Sequence, residues 1–292
     1  MGGSFSVPPL ERLLTAGVEV AAVITPATLP ASEPLPRRLV PPPPVSADLP
    51  IINPYLDQNI VHLAWAHQIP VWNVGKLSDR LTWETLAAFQ PDLIIVACFS
   101  RLFPPSLFEL PRYGCLNLHP SLLPAYRGPA PLFWMARQGE GQAGVTLHFL
   151  DEDLDTGDIV AQIAVAWPDG LSERELEQRC AAAGAELVLK AVQQLAQDRA
   201  LPRQAQPAEG SSYCPWPSEQ DFVIPTRWTA RRAFNFLRAA ESWPLVIEVG
   251  SERFFIRIAK GYESEQKLGQ PYVFQDDELW VQFQPGVLRV GI

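Results

Sequence analysis

The sequence predicts an α/β protein with a mainly parallel sheet, followed by a smaller and mostly β domain. The chain has 292 residues, which is long for one domain and sufficient for two. Apolar strand-like runs alternate with helix-like runs up to residue 196, and this alternation is typical of parallel sheets. Beyond residue 212 one helix and several short strands separated by turns favour a small barrel.

Hydrophobic patterning and turn residues predict the elements of the first part in chain order. Residues 8–16 read as a helix that Gly17 closes, because glycine tolerates the left-handed conformation at a helix end. Residues 18–25 and 92–98 are almost continuously apolar, which predicts strands buried on both faces. The same patterning predicts further helices at 57–67, 82–89 and 129–137 and further strands at 70–74, 115–119, 144–149 and 159–166.

Two segments near the N-terminus depart from this regular alternation. A doubly wound sheet normally opens with a strand, whereas residues 1–4 look like the turn that follows one, so the first strand is expected upstream of Met1. The alternative is that residues 3–7 form a stunted strand. Residues 26–50 hold nine prolines, which exclude a helix interior or central strand and predict an extended loop, partly polyproline II.

A long helix and a polar segment mark the end of the first predicted domain. Residues 172–196 form this helix, with Ser172 and Glu175 as a capping box. The predicted domains are therefore a first domain at 1–196, a linker at 197–212 and a barrel-like domain at 213–292. The last domain is predicted to contain a helix at 228–238 and strands at 245–249, 253–259, 272–275 and 279–290.

Composition and charge restrict the function classes. Hydrophobic residues make up 47% and charged residues 19%, which indicates a globular chain. A net charge of −9 disfavours a protein that coats nucleic acid non-specifically, and no DNA partner is expected. The sequence shows no transmembrane run and no signal peptide, so a cytoplasmic protein without a membrane partner is predicted. None of the four cysteines forms a C-x-x-C pair, which disfavours a zinc ribbon and fits a reducing compartment.

Asn117 and His119 are the first candidate functional residues. They alternate on one predicted strand, so their side chains share a face at the strand's carboxyl end, where open α/β sheets bind ligands. A neighbouring amide and imidazole can hold a developing oxyanion and move a proton. The plain alternative is a polar strand end whose side chains cap the next turn. His62, His67 and His148 are interpreted as structural.

An acidic loop supplies a third candidate. Residues 151–158 contain five carboxylates between two predicted strands. Such a loop could be a solvated turn or a cation site. A carboxylate close to His119 would instead favour its imidazolium form.

Two long motifs at this separation, NLHPSLLPAYRGPAP from residue 117 and LDTGDIVAQ from residue 154, resemble those of the 10-formyltetrahydrofolate-dependent formyltransferases. The resemblance covers most of residues 1–200. It implies a Rossmann-like formyltransferase domain and formyl transfer from 10-formyltetrahydrofolate, the co-substrate, to a primary amine, with no metal. The domain arrangement is closest to that of methionyl-tRNA formyltransferases.

The resemblance also implies roles for individual residues. Asn117, His119 and Asp155 match the family's catalytic trio, in which the amide and the imidazolium stabilise the oxyanion and the carboxylate holds the histidine charged. The residues implied to contact the folate co-substrate are Arg101 and Leu102 in the pterin pocket, Ser121, Leu122, Leu123 and Pro124 in a turn beside the folate, and Glu152, Asp153 and Leu154 in a loop over the pterin ring.

The amine acceptor stays open between two classes. The domain arrangement favours initiator methionyl-tRNA and hence translation initiation. Residues 26–60 and 203–292 each carry a net charge of −1, which favours a small acceptor such as an amino-sugar nucleotide, because RNA affinity depends on phosphate contacts. A further alternative is a catalytically silent folate-binding or RNA-binding module.

Overall fold

A computed structural model describes residues 5–28, 34–42 and 59–292. Contacts divide the chain into two compact units, each built from separate segments of sequence. The first comprises residues 1–124, 144–163 and 180–210, and the second comprises 125–143, 164–179 and 211–292. The contacts thus assign 125–143 and 164–179 to the second unit, whereas patterning can only divide a chain at points along its length. The boundaries 1–196, 197–212 and 213–292 stay a prediction.

The N-terminal part of the first unit contains short alternating elements. Its helices are α1 (Val7–Thr15), α2 (Ile60–Ala66), α3 (Arg80–Ala87) and α4 (Pro105–Phe108). Its strands are β1 (Val23–Pro26), β2 (Arg37–Leu39), β3 (Val71–Val74) and β4 (Ile94–Ala97). Asn59 begins α2 because its side chain accepts a hydrogen bond from the backbone N–H of Val61.

The next elements lead through the candidate motifs. They are β5 (Cys115–His119), α5 (Pro131–Gln138), β6 (Gln142–Phe149), β7 (Ile159–Ala166) and α6 (Glu173–Leu195). The predicted capping box of α6 is confirmed, since Ser172 and Glu175 exchange side-chain to backbone hydrogen bonds. Gly184 lets α6 approach β5 closely, because a Cβ there would lie 2.5 Å from a methyl carbon of Leu118.

The described strands up to β7 form two sheets with mixed strand directions. One has the order β1-β3-β2, with β1 parallel and β2 antiparallel to β3. The other has the order β4-β5-β6-β7, with β4 parallel and β6 antiparallel to β5. The predicted Rossmann-like class is confirmed, although the sheets are mixed rather than mainly parallel. Separate apolar clusters, one around Val71 and one around Leu107, fill the spaces between these strands and their helices.

The second unit contains a small β domain around one amphipathic helix. A short 3₁₀ helix (Glu219–Phe222) leads to β8 (Val223–Pro225), α7 (Ala230–Ala239), β9 (Val246–Val249), β10 (Glu252–Phe255), β11 (Ile258–Glu263), β12 (Tyr272–Gln275), β13 (Glu278–Gln282) and β14 (Val287–Gly291). The strands form sheets of order β10-β9-β8 and β11-β14-β13-β12. Phe236 of α7 is fully buried in the shared core, which also contains Phe133 of α5.

Several predicted elements differ in detail from the structure. The segments 253–259 and 279–290, each predicted as one strand, divide into two strands each, because short turns interrupt the apolar runs. Residues 37–39 form β2 within the predicted proline-rich loop, pairing with β3. Residues 29–33 and 43–50 of that loop, the turn at 1–4 and the start of the helix 57–67 lie outside the described residues. A stunted strand at 3–7 is wrong in its described part, since α1 already begins at Val7.

In the described ranges, no helix combines the length and apolar character that crossing a bilayer demands.

Candidate active site

The candidate site is built on the pairing of β5 with β6. Asn117 lies opposite His148, and His119 lies opposite Thr146, in the antiparallel register of these strands. Alternate residues of a strand share a face, so these four polar side chains are adjacent on one surface of the sheet. His119, Thr146 and His148 are all buried, which is unusual for polar side chains and calls for specific hydrogen-bond partners.

Asp155 completes the site from the loop after β6. Its Oδ2 lies 3.5 Å from His119 Nδ1, and its Oδ1 lies 3.3 Å from Asn117 Nδ2 and 3.6 Å from His148 Nε2. The Asp155 side chain is only 5% exposed. A buried carboxylate requires donors or cations around it, and here an amide and two imidazoles surround it.

The hydrogen bonds of His148 assign its tautomer. Its Nδ1 lies 2.8 Å from the carbonyl oxygen of Phe149, which can only accept, so Nδ1 carries a proton. In the neutral ring Nε2 is then an acceptor, and Asn117 Nδ2 donates to it at 3.1 Å. His148 thereby orients the Asn117 amide, with Nδ2 directed toward both His148 and Asp155.

The backbone around Asp155 is held in an uncommon conformation. Asp155 has a φ of +58°, a left-handed value that aspartate tolerates better than most residues. Gln206 Nε2 donates to the carbonyl oxygens of Asp155 and Gly157, at 2.9 and 2.8 Å. Gly157 is required for close approach, because a Cβ there would lie 2.0 Å from the carbonyl oxygen of Phe149. The loop therefore presents Asp155 from a fixed backbone.

The turn after His119 is fastened to the same strands. Thr146 Oγ1 donates to the carbonyl oxygen of Ser121 at 2.6 Å and accepts from the backbone N–H of Leu123 at 3.0 Å. Gln162 Nε2, on β7, donates to the carbonyl oxygen of Leu123 at 2.8 Å and to Thr146 at 2.9 Å. This places the turn 121–124 at the edge of the surface that carries His119.

The sequence was compared with known proteins. The family model described as formyl transferase matches residues 49–192. The methionyl-tRNA formyltransferase of Halalkalibacterium halodurans is 34% identical over 243 residues, covering 82% of this chain and 70% of that protein. This chain belongs to the formyltransferase family. The predicted membership is thus confirmed.

Solved structures share the formyltransferase fold at low identity. The N-formyltransferase from Helicobacter canadensis, solved with folinic acid and dTDP-3-aminofucose, is 17% identical with a TM-score of 0.62, covering 99% of this chain and 96% of that one. HypX from Aquifex aeolicus, solved with tetrahydrofolic acid, is 21% identical with a TM-score of 0.59, covering 77% of this chain. The same match covers 40% of the HypX chain.

The remaining predicted residues of this formyltransferase lie outside the hydrogen-bonded group of Asp155. Arg101 donates to the carbonyl oxygen of Ala27, and its neighbour Leu102 is 81% exposed. Ser121 and Leu123 are buried in the turn, while Leu122 and Pro124 are partly exposed. The loop residues Glu152, Asp153 and Leu154 are exposed. Their contacts with folate stay a prediction.

Sequence reasoning missed two residues of the site. His148 was interpreted as structural, yet it contacts both Asn117 and Asp155. The available signal was alternation, because Thr146 and His148 share a strand face just as Asn117 and His119 do. Gln206 lies in the predicted linker, and no pattern in that polar segment distinguishes it.

Proposed function

We propose that this formyltransferase transfers a formyl group from 10-formyltetrahydrofolate to the amino group of methionyl-tRNA. The observation that carries the proposal is the buried Asp155 carboxylate between His119 and Asn117. The relatives named methionyl-tRNA formyltransferases support the acceptor, since this chain matches 82% of its own length to one of them.

His119 and Asp155 supply the proton chemistry in this proposal. Asp155 faces Nδ1 of His119, so it favours a proton at Nδ1 and stabilises the imidazolium. The other ring nitrogen, Nε2, then donates to the formyl oxygen, on which negative charge develops during attack by the amine. Asp155, with a water molecule, accepts the proton that the amine loses. Collapse of the tetrahedral oxyanion then re-forms the carbonyl and breaks the bond to the folate nitrogen, which takes up that proton as tetrahydrofolate leaves.

Asn117 supplies the second donor. Its Nδ2 group is directed toward Asp155 and His148, so the amide is already oriented by two contacts. During the reaction the N–H directed at Asp155 is shared with the developing oxyanion, while the other N–H stays on His148. An oriented donor of this kind contributes on the order of 2.7–4 kcal/mol to oxyanion stabilisation.

The folate is assigned to the surface beside the turn 121–124. Thr146 and Gln162 hold this turn rigid next to His119. Arg101 and Leu102 after β4 and the exposed loop 152–154 are the further predicted contacts. The solved complex of HypX with tetrahydrofolic acid supports a folate co-substrate.

An amino-sugar nucleotide is the second candidate acceptor. Residues 203–292 carry ten basic and eleven acidic side chains, a net charge of −1, which is low for a domain that grips RNA. The likeness to the Helicobacter canadensis enzyme, solved with dTDP-3-aminofucose, spans nearly the whole of both chains.

A direct acceptor assay tests the proposal. The full chain is incubated with 10-formyltetrahydrofolate and either initiator methionyl-tRNA or dTDP-3-aminofucose, and the formylated product is measured. We expect formylmethionyl-tRNA, with kcat/KM at least tenfold above that for the sugar nucleotide. The reverse ratio would identify the acceptor as an amino-sugar nucleotide. If neither acceptor is formylated, the proposed formyl transfer is contradicted for both acceptor classes.

A further inference from the structure

A concave site lies entirely within the second unit. It is a cleft of about 470 Å³, within the size range of small-ligand sites, and we call it the arginine cleft. Its lining side chains are Trp134, Arg137, Gln138, Arg227, Trp228 and Arg232. Three guanidinium groups and two indoles thus line one space, and none of them belongs to the Asp155 site.

Two of the three arginines are fixed in place by the protein. Arg137 donates to the carbonyl oxygens of Asp221 and Val223. Arg232 donates through Nη2 to the carbonyl oxygen of Arg137 at 2.6 Å, and its guanidinium lies 4.1 Å from the centre of the Trp228 ring. These contacts hold the guanidinium groups rigid without neutralising their charge.

The like charges are not balanced within the cleft. Burial lowers the pKa of Arg137 and of Arg232, and the nearby Arg227 lowers both further. Asp221 lies 3.9 Å from Arg137 but also accepts hydrogen bonds from Ser218. In the described part of the chain, Arg227 makes no ion pair, and the buried Nε of Arg232 has no hydrogen-bond partner. The cleft therefore holds donors and positive charge for an anion that the protein itself does not supply.

The geometry points to a phosphate-ester site, in which Arg227 and Arg232 bind the phosphate of a nucleotide and the indoles contact its ring. Guanidinium groups match the geometry of phosphate oxygens, and aromatic walls combined with arginine are typical of sites that hold nucleotide phosphates and bases. Both candidate acceptors carry phosphate esters, so the identity of the physiological nucleotide rests on the proposed function. The binding site itself does not.

Binding by the full chain tests the inference without any formyl donor. The probes are a fluorescein-labelled single-stranded RNA dodecamer, measured by anisotropy, and dTDP, measured by calorimetry, with thymidine as the probe lacking phosphate. Arg227→Glu is the main variant because Arg227 is exposed. Arg257→Glu is the matched control, since Arg257 is an exposed arginine of the same unit outside the cleft. Arg232→Lys keeps the charge but replaces the guanidinium, including the unpartnered Nε, by an ammonium group.

We expect Arg227→Glu to weaken binding of the RNA or of dTDP at least tenfold, Arg232→Lys to weaken it less, and Arg257→Glu to change it less than twofold. If RNA is the ligand, Arg227→Glu also reduces the salt dependence of binding by about one phosphate contact. An effect on RNA alone assigns the phosphate to an RNA backbone, and an effect on dTDP alone assigns it to a small nucleotide. Equal effects of Arg227→Glu and Arg257→Glu, binding of thymidine as tight as dTDP, or a Kd above 1 mM for both phosphate probes would overturn the site. These binding measurements contain no formyl donor, so they can be interpreted even if the acceptor assay detects no formyl transfer.

Discussion

The Asp155 site and the arginine cleft both contain ionisable side chains that are at least partly buried, but they balance charge differently. Asp155 is a buried carboxylate that accepts a hydrogen bond from Asn117 and faces Nδ1 of His119. Arg137, Arg227 and Arg232 instead bring like charges together. A site balanced from within is suited to moving protons among its own groups. A site with three guanidinium groups and one nearby carboxylate, that of Asp221, is suited to holding an anionic ligand.

The substitution with the largest expected effect on activity removes the charge of Asp155. Asp155→Asn keeps the shape but loses the carboxylate that faces His119 Nδ1. We expect kcat for formyl transfer to fall on the order of 10²–10³-fold, since the proposed oxyanion donor, His119, loses the carboxylate that favours its charged form. The KM for 10-formyltetrahydrofolate should change less than threefold. Steady-state kinetics with the acceptor found in the assay above measure both.

Asp158→Asn is the matched control for that prediction. Asp158 lies in the same loop and its carboxylate pairs with the exposed Arg203 at 3.7 Å. The same charge is removed without touching His119, so kcat should stay within about threefold of the wild type. Wild-type turnover in Asp155→Asn would show that the negative charge of Asp155 has no part in catalysis.

The next prediction tests the orientation of the Asn117 amide separately from the charge of Asp155. His148→Leu removes the acceptor for the Asn117 amide, and His148→Gln restores a side-chain oxygen that can accept. We expect kcat to fall about 10–100-fold in the leucine variant and to recover in part in the glutamine variant.

His67→Leu serves as the control, since His67 is exposed on the short turn that ends α2. Measuring kcat at a temperature where each variant is folded, checked by circular dichroism, removes stability from the comparison. Equal activity of the leucine and glutamine variants would contradict a positioning role for His148.

The contrast between the two regions also explains what sequence patterning can predict. The ranges of β5, β7 and β12 agree with their predictions because alternation and turn residues are local signals. The Asp155 site was reachable because Asn117 and His119 share a strand and carry a long recognisable motif. The arginine cleft joins Arg137 of α5 to Arg232 of α7 and to Arg227 just before that helix, and no local pattern links residues so far apart in sequence.

The linker prediction shows the same limit within the first unit. Composition marks 197–212 as polar and proline-bearing, but pairing depends on which backbone groups meet in space. Gln204 exchanges both backbone hydrogen bonds with Ile159, and Arg203 lies 3.6 Å above the centre of the Phe149 ring. A polar segment can thus contact β7 and the end of β6 without any apolar periodicity.

A smaller effect is expected from Gln206, whose side chain holds the backbone of the Asp155 loop. Gln206→Leu leaves the carbonyl oxygens of Asp155 and Gly157 without their donor, which costs about 1–3 kcal/mol of unfolding free energy. The kcat should fall by less than in His148→Leu, because the side chains around Asp155 are intact. Gln204→Leu is the control, since Gln204 pairs through its backbone. Equal unfolding free energies of the two variants in urea would show that Gln206 does not hold the loop.

The smallest effect concerns Cys115, at the far end of β5 from His119, where burial acts on an ionisable group that has no charged partner. Burial raises the pKa of this thiol to about 12 from an ordinary value near 9, and its Sγ lies 3.3 Å from the carbonyl oxygen of Leu107. The folded thiol therefore stays protonated between pH 9 and 12, whereas the unfolded thiol loses its proton above pH 9. The unfolded state then binds fewer protons, so this contribution to stability is complete below pH 9 and decreases as pH rises.

Cys115→Ala removes this titration. The difference between the wild type and the variant measures how strongly burial alone resists ionisation, which is the comparison needed for Asp155. Between pH 8 and pH 10 the wild type should lose about 1.4 kcal/mol more unfolding free energy than Cys115→Ala, as urea denaturation at the two pH values would measure. Equal losses would mean that the thiol ionises inside the folded protein. Burial without a charged partner would then have little effect on ionisation in this unit, and the donors around Asp155 would matter for geometry more than for keeping its charge.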